Sequence, residues 1–295
     1  MNEGKNNYED RLKEFKENGY IIQKGIYSDD DFEELFIAFY DLALSSAKRN
    51  SIFIDFDYFP SLNKASYPED LKILDKLLLM ILKENKSFIG EIYDAFSYSS
   101  AFLRFVSNRK VEEISKILLG VEKNTTLYGW TNRVRIDPPG DNRRTYGWHQ
   151  EIFYTQPRFT YLQTWAPVLR DTTFENGTIW IKEGSHKEGI AKQTWNEIEG
   201  RATQVLIDKE ILNKYKSKNL KMKKGDVLFF NGFLAHSSGN NITSDEIRYS
   251  LVGMWNDTST LDFRAPIPNF TSRTESAKEY FIKKFGKSRI NKIKN

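Results

Sequence analysis

Between residues 125 and 255 the chain is cut into short β-branched and aromatic runs, at 133–136, 160–168, 178–181, 204–207, 226–230 and 249–255, with Gly, Asn, Asp and Pro between them. Runs this short do not fill a helix, and many of them in series with turn signals predict a sandwich or barrel. The chain before them has a different period. Residues 8–19 read as a charged helix stopped by Gly19, followed by a strand-like Tyr20-Ile21-Ile22. Ser28 with Asp31 forms a capping-box pattern, and Phe32, Leu35, Phe36, Phe39 and Ala43 then recur at helical spacing, so that helix buries one face. Further helices are expected over 69–83, 87–98 and 110–119, the last ended by Gly120. The acidic and aromatic stretch 51–60 reads as an edge strand or a loop over a cleft. No linker-like boundary separates the two halves, which predicts one α+β unit.

Composition narrows the class. Aromatic residues make up 14% of 295 residues and apolar residues 39%, enough for a large core. There is no apolar run of the ~18 residues a membrane span needs, and the polar start Met1-Asn2-Glu3-Gly4-Lys5 has no signal-peptide core. The chain has no cysteine. That fits a reducing compartment, and a cytoplasmic location is the expectation. The net charge of +4 is local: residues 278–295 carry seven Lys/Arg against Glu279, and without that tail the balance is about −2. Neither nucleic acid nor a membrane is expected as a partner. A small molecule is.

With three histidines and no cysteine, any metal site must use imidazole and carboxylate. His149 and Glu151 flank Gln150, and on a strand that spacing would put both side chains on one face. His236 follows the apolar run 226–230, and Arg248 lies twelve residues further on. Two histidines and one carboxylate are the ligand set of mononuclear non-haem iron(II), which leaves positions open for a co-substrate and O₂. Arg248 sits in an alternating strand pattern and needs an anion: a carboxylate ligand, or a structural partner such as Asp226 or Asp245. Ser250 would share its face.

In order and spacing these residues carry a resemblance. Phe15-Lys16-Glu17-Asn18-Gly19-Tyr20-Ile21-Ile22, Trp148-His149-Gln150-Glu151, Glu175-Asn176-Gly177-Thr178-Ile179-Trp180, Gly184-Ser185-His186-Lys187, Gly225-Asp226-Val227-Leu228-Phe229-Phe230, His236-Ser237-Ser238-Gly239 and Arg248-Tyr249-Ser250 together resemble the phytanoyl-CoA dioxygenase family of iron(II)/2-oxoglutarate oxygenases. The resemblance implies a double-stranded β-helix, or jelly roll, over 121–258. Residues 1–120 would be helical support, and 259–295 a C-terminal extension. It implies Fe(II) on His149, Glu151 and His236, with 2-oxoglutarate and O₂ as co-substrates and ascorbate as a stimulant. Arg248 would take the distal carboxylate of 2-oxoglutarate, with Ser250, Ser238, Trp165, Tyr146 and Arg135 around it. His186 falls on a turn and, with the ligand set complete without it, would be structural or would support a ligand from behind. The family's carboxylate is most often aspartate; Glu151 is one methylene longer, and it leaves no room for the halide of halogenase relatives.

The activity so implied is hydroxylation of an unactivated C–H of a small metabolite, with succinate and CO₂ released. The alternatives are desaturation, epimerisation or cyclisation at the same centre, a cupin-like isomerase with another divalent metal, and a non-catalytic jelly-roll binding module. Phe53, Phe56, Tyr58, Phe59, Phe153, Tyr154 and the 256–270 loop are candidate walls of the substrate pocket.

Overall fold

The computed structural model describes residues 3–55, 57–141, 145–153, 161–196, 204–261 and 263. Its N-terminal part runs α1 (Glu3–Asn18), β1 (Tyr20–Gln23), α2 (Asp29–Arg49), α3 (Leu71–Glu84), α4 (Lys86–Phe96), α5 (Ser100–Val106) and α6 (Arg109–Leu119). The starts and stops follow local chemistry. Ser28 and Asp31 close the expected capping box on α2, with three acids in its first turn. Asn108 caps α6, and Gly120 ends it in the left-handed conformation. The stretch 51–60 contains no strand among its described residues.

The β part follows as β2 (Leu127–Asp137), β3 (Tyr161–Val168), β4 (Ile179–Lys182), β5 (Gln193–Asn196), β6 (Gln204–Ile207), α7 (Lys209–Asn213), β7 (Ser217–Leu220), β8 (Val227–Asn231), β9 (His236–Ser238) and β10 (Arg248–Asp257). Every pairing is antiparallel. One sheet has the order β1-β8-β3-β10-β2 and a second the order β7-β4-β9. Backbone bonds between His149 and His236, and from Ile207 N–H to Trp148 C=O, carry the second sheet on toward β6 and its partner β5.

Because side chains alternate along a strand, the large sheet has two unlike faces. Val134, Ile136, Leu162, Ala166, Val168, Phe229, Tyr249 and Leu251 join the helices in one continuous apolar cluster. Tyr20, Trp165, Leu228, Phe230 and Val252 turn the other way and pack on Ile179, Ile181 and Leu220 of the small sheet. Two facing antiparallel sheets with helices on the outside of one make an α+β fold with a jelly-roll core. Gly177, just before β4, shows how closely the chain passes the end of β9: its φ is +82°, and a Cβ there would sit 2.6 Å from the Asn240 backbone. The basic tail over 278–295 lies outside the described residues.

Candidate active site

His149 does not stand on a regular strand. It makes a single antiparallel bridge to His236, with N–H to C=O distances of 3.0 and 3.1 Å, and Glu151 then opens a one-turn 3₁₀ helix, Glu151–Phe153. The expected same-face strand geometry is replaced by a bridge and a turn, which still bring both side chains to one place. Gln150 holds that turn. Its buried amide donates to Gly189 C=O and Phe233 C=O, and accepts from Ala191 N–H. Gln204 in β6 holds the approach, accepting from Gly147 N–H and donating to Thr145 C=O.

The donor atoms of His149, Glu151 and His236 lie within 4.8 Å of one another, and all three residues are buried. Glu151 Oε2 is 3.6 Å from His149 Nε2 and 4.0 Å from His236 Nε2. The opposite ring nitrogens are engaged by carbonyls, His149 Nδ1 with Gly147 O at 2.7 Å and His236 Nδ1 with Leu234 O at 2.9 Å. A carbonyl only accepts, so each Nδ1 carries the proton and, in the neutral imidazole, each Nε2 turns a lone pair inward. Burial, with His149 alongside, pushes His236 down to about 3. For Glu151, burial works to raise the carboxyl, while a hydrogen bond from His149 and the positive charges of Arg133 and of the two imidazoles in their protonated forms lower it to about 2. Two imidazole lone pairs and a carboxylate aimed at one point repel unless a cation sits among them. The donor set therefore fits a divalent metal, which His149, Glu151 and His236 would hold, Glu151 from the turn.

The triad opens on a cavity of about 220 Å³ lined on one side by Arg133, Arg135 and Arg248. The partner of Arg248 is neither Asp226 nor Asp245. It is Asp137, reached at 2.8 Å from Nη2 and 3.3 Å from Nε, with Nη1 donating to Gly239 C=O at 3.0 Å. A guanidinium has five N–H groups, and these bonds use three. The remaining two sit one on each Nη. Asp137 also accepts from Arg135 at 2.9 Å, so one carboxylate serves two cations and pulls its own pKa down to about 2 against the effect of burial.

Of the other expected residues, Tyr146, Trp165 and Ser238 line the cavity. Ser250 is Arg135's cross-strand partner, and its buried Oγ has no hydrogen-bond partner. His186 lies apart, its Nε2 against Lys16 C=O and its ring packed on Gly19. The aromatics expected as walls lie elsewhere: Phe53 is exposed, Tyr58 sits under the Lys76 ammonium, and Phe59 belongs to the helical core. Phe153 packs in two smaller clusters. Phe56, Tyr154, Asp262 and 264–270 lie outside the described residues. Arg133, Asp137 and Gln163 were not anticipated. Arg133 and Asp137 were within reach, since Arg133, Arg135 and Asp137 alternate on one strand and so share a face.

A jelly roll with a buried His-x-carboxylate…His triad beside an inward-facing arginine defines the class of iron(II)- and 2-oxoglutarate-dependent oxygenases. The chain belongs to the phytanoyl-CoA dioxygenase (PhyH) family, whose model matches residues 15–250. It is 24% identical over 257 residues to the phytanoyl-CoA dioxygenase of Arabidopsis thaliana, covering 80% of this chain and 84% of that protein. It is 32% identical over 106 residues to the 1-deoxypentalenic acid 11-beta-hydroxylase of Streptomyces arenae, a match that spans 33% of this chain and only 35% of that protein's length. Among solved structures, the fold is similar to EctD from S. alaskensis with 2-oxoglutarate and 5-hydroxyectoine (TM-score 0.53, 19% identity, 90% and 84% of the two chains). It is also similar to the epimerase SnoN in complex with Fe³⁺, alpha ketoglutarate and nogalamycin RO (TM-score 0.55, 16% identity, 92% and 98%).

Proposed function

We propose that this protein is an Fe(II)- and 2-oxoglutarate-dependent dioxygenase that hydroxylates an unactivated C–H of a small-molecule metabolite, releasing succinate and CO₂. The observation that carries this reading is the triad itself: two buried imidazoles, each fixed by a carbonyl on Nδ1, aim Nε2 at one ionised glutamate. His149, Glu151 and His236 hold the iron, which supplies O₂ activation when bound. Arg248, held in place by Asp137 and Gly239, receives the distal carboxylate of 2-oxoglutarate on its two free N–H groups. Ser250, Ser238, Trp165, Tyr146 and Arg135 complete that co-substrate wall. The buried setting keeps water from the reacting atoms.

Calorimetry with Fe(II) under nitrogen, then with 2-oxoglutarate, tests the two binding steps, and succinate release across a metabolite panel tests turnover. Loss of 2-oxoglutarate binding in the iron-loaded protein would sink the reading. Replacing Arg248 with Ala removes a charge-assisted pair, at about 1.5–3 kcal/mol. The expected result is a roughly 10- to 150-fold weaker 2-oxoglutarate affinity with metal binding retained.

A further inference from the structure

We infer that Arg133 binds an oxyanion, a carboxylate or a phosphate ester, on the primary substrate. The inference rests on the preceding reading of the pocket and extends it to substrate class. Among the described residues, three arginines line the cavity, Arg133, Arg135 and Arg248, and two carboxylates face them, Glu151 at the triad and Asp137 beneath. The side chains alone therefore carry one net positive charge. A divalent metal adds two and a 2-oxoglutarate dianion removes two, so one positive charge is still left over with metal and co-substrate in place.

That surplus can be located. Arg135 and Arg248 share Asp137, and the distal carboxylate of the co-substrate neutralises that pair. Glu151 and the oxo-acid carboxylate neutralise the metal. Arg133 is what remains. It is half-buried, and among the described residues it has no hydrogen-bond or ion-pair partner. A guanidinium withdrawn from water without a counter-ion is unfavourable, so the pocket is built for one more anion.

Register says where that anion would lie. Arg135 is paired across the sheet with Ser250, next to Arg248, whereas Arg133 is paired with Val252, which faces Trp165. Arg133 thus stands one inward-facing step further along β2 from Asp137 than Arg135 does, lining the same cavity as Glu151 and the two histidines. An anion held there sits toward the triad, away from the Asp137 pair. One inward step beyond Trp165 on β3 is Gln163, which also lines the cavity and whose amide oxygen is buried without a partner. It offers an acceptor to an O–H or N–H of the same molecule.

Minimal probes test this without knowledge of the substrate. Wild-type protein is loaded with Mn(II) and saturating 2-oxoglutarate, then titrated with acetate, methyl phosphate and neutral acetamide. Binding is followed by relaxation of the probes' methyl protons by the paramagnetic metal. At least one anion is expected to bind saturably and tenfold or more tighter than acetamide, and the preferred anion identifies the source. Arg133→Gln should weaken that anion at least tenfold and Arg133→Lys by less, while both variants keep 2-oxoglutarate affinity within twofold, which also reports that they are folded. Failure of both anions to bind wild type saturably, or equal binding by Arg133→Gln, overturns the inference. A tenfold loss of 2-oxoglutarate affinity in Arg133→Gln also overturns it, by placing Arg133 on the co-substrate. Failure of wild type to bind Mn(II) and 2-oxoglutarate at all removes the functional reading instead, and this inference with it.

Discussion

Strand β10 shows two chemistries one residue apart. Its outward residues, Tyr249 and Leu251, enter an apolar core in which the Phe39 ring stacks on Phe96 at 3.6 Å and lies 5.7 Å from Tyr249. Of its inward residues, Arg248 lines a cavity shared with two more arginines, the triad and the unpartnered amide oxygen of Gln163, and Ser250, cross-strand from the cavity-lining Arg135, has a buried Oγ without a partner. The neighbouring strands β2 and β3 divide in the same way. The outward face is packed to be stable, whereas the inward face keeps hydrogen-bonding capacity in reserve for what it binds. The helical layer supports the very sheet whose other side carries the site, so the two faces should separate cleanly under mutation.

The largest effects should belong to one face each. His236→Ala removes a donor from the triad and is expected to abolish turnover, by a thousandfold or more, since even residues that only orient metal ligands cost ten- to a hundredfold. Succinate release and iron content check this; persistent iron binding would break the assignment. Phe39→Ala on the opposite face should cost about 3–5 kcal/mol of stability by leaving a cavity in the stacked core. Its remaining folded fraction should bind 2-oxoglutarate with unchanged affinity. Urea unfolding and calorimetry on the same sample measure both. A selective loss of co-substrate affinity in Phe39→Ala would mean that the faces are coupled.

Asp75, a buried acid on the outward side, gives a pH signature. Asp75 in α3 accepts from Tyr249 Oη at 2.8 Å and pairs with Arg170. Burial pushes its carboxyl up to about 6, against the pull of Arg170 and Tyr249. A carboxyl raised on folding binds its proton more tightly in the native state. Its contribution to stability is therefore full below the ordinary carboxylate range and is lost as pH rises through about 6. At 1.36 kcal/mol per unit, the loss is about 2–3 kcal/mol. Asp75→Asn cannot titrate, so its stability relative to wild type should rise by that amount between pH 4 and pH 6.5. Parallel pH dependences for the two proteins in chemical denaturation would refute this.

Legibility in the sequence follows the same division. The outward face wrote itself as periodicity, with Phe32, Leu35, Phe36 and Phe39 at helical spacing, and away from that face the run 204–207 is β6 in full. Elements with little buried surface were silent. Strand β7 is Ser-Lys-Asn-Leu, mostly exposed at a sheet edge, and β9 is His-Ser-Ser, too short and polar to show a pattern. The triad and Arg248 stood out because their residue types are rare or costly to bury. Arg248's partner did not, since Asp137 is 111 positions away and only the β2–β10 register joins them. The aromatics at 53–59 misled because aromatic composition does not say which side of a sheet a loop serves.

Ser250 offers the smallest effect and the sharpest test of the comparison, because its two consequences differ in sign. In an ordinary core, losing a buried hydroxyl breaks a hydrogen bond and costs stability. Here Oγ is buried with no partner, so the metal- and co-substrate-free protein already carries that penalty. Ser250→Ala should therefore raise the stability of the ligand-free protein by about 1 kcal/mol. The same substitution should weaken 2-oxoglutarate by about 0.5–1.5 kcal/mol, roughly two- to tenfold, because the hydroxyl's partner arrives with the co-substrate. Thermal unfolding without ligand and calorimetry with 2-oxoglutarate give the two signs. A loss in both would show Ser250 to be a structural residue like those on the outward face, while a gain in stability with weaker binding is what a face built to be completed by its ligand requires.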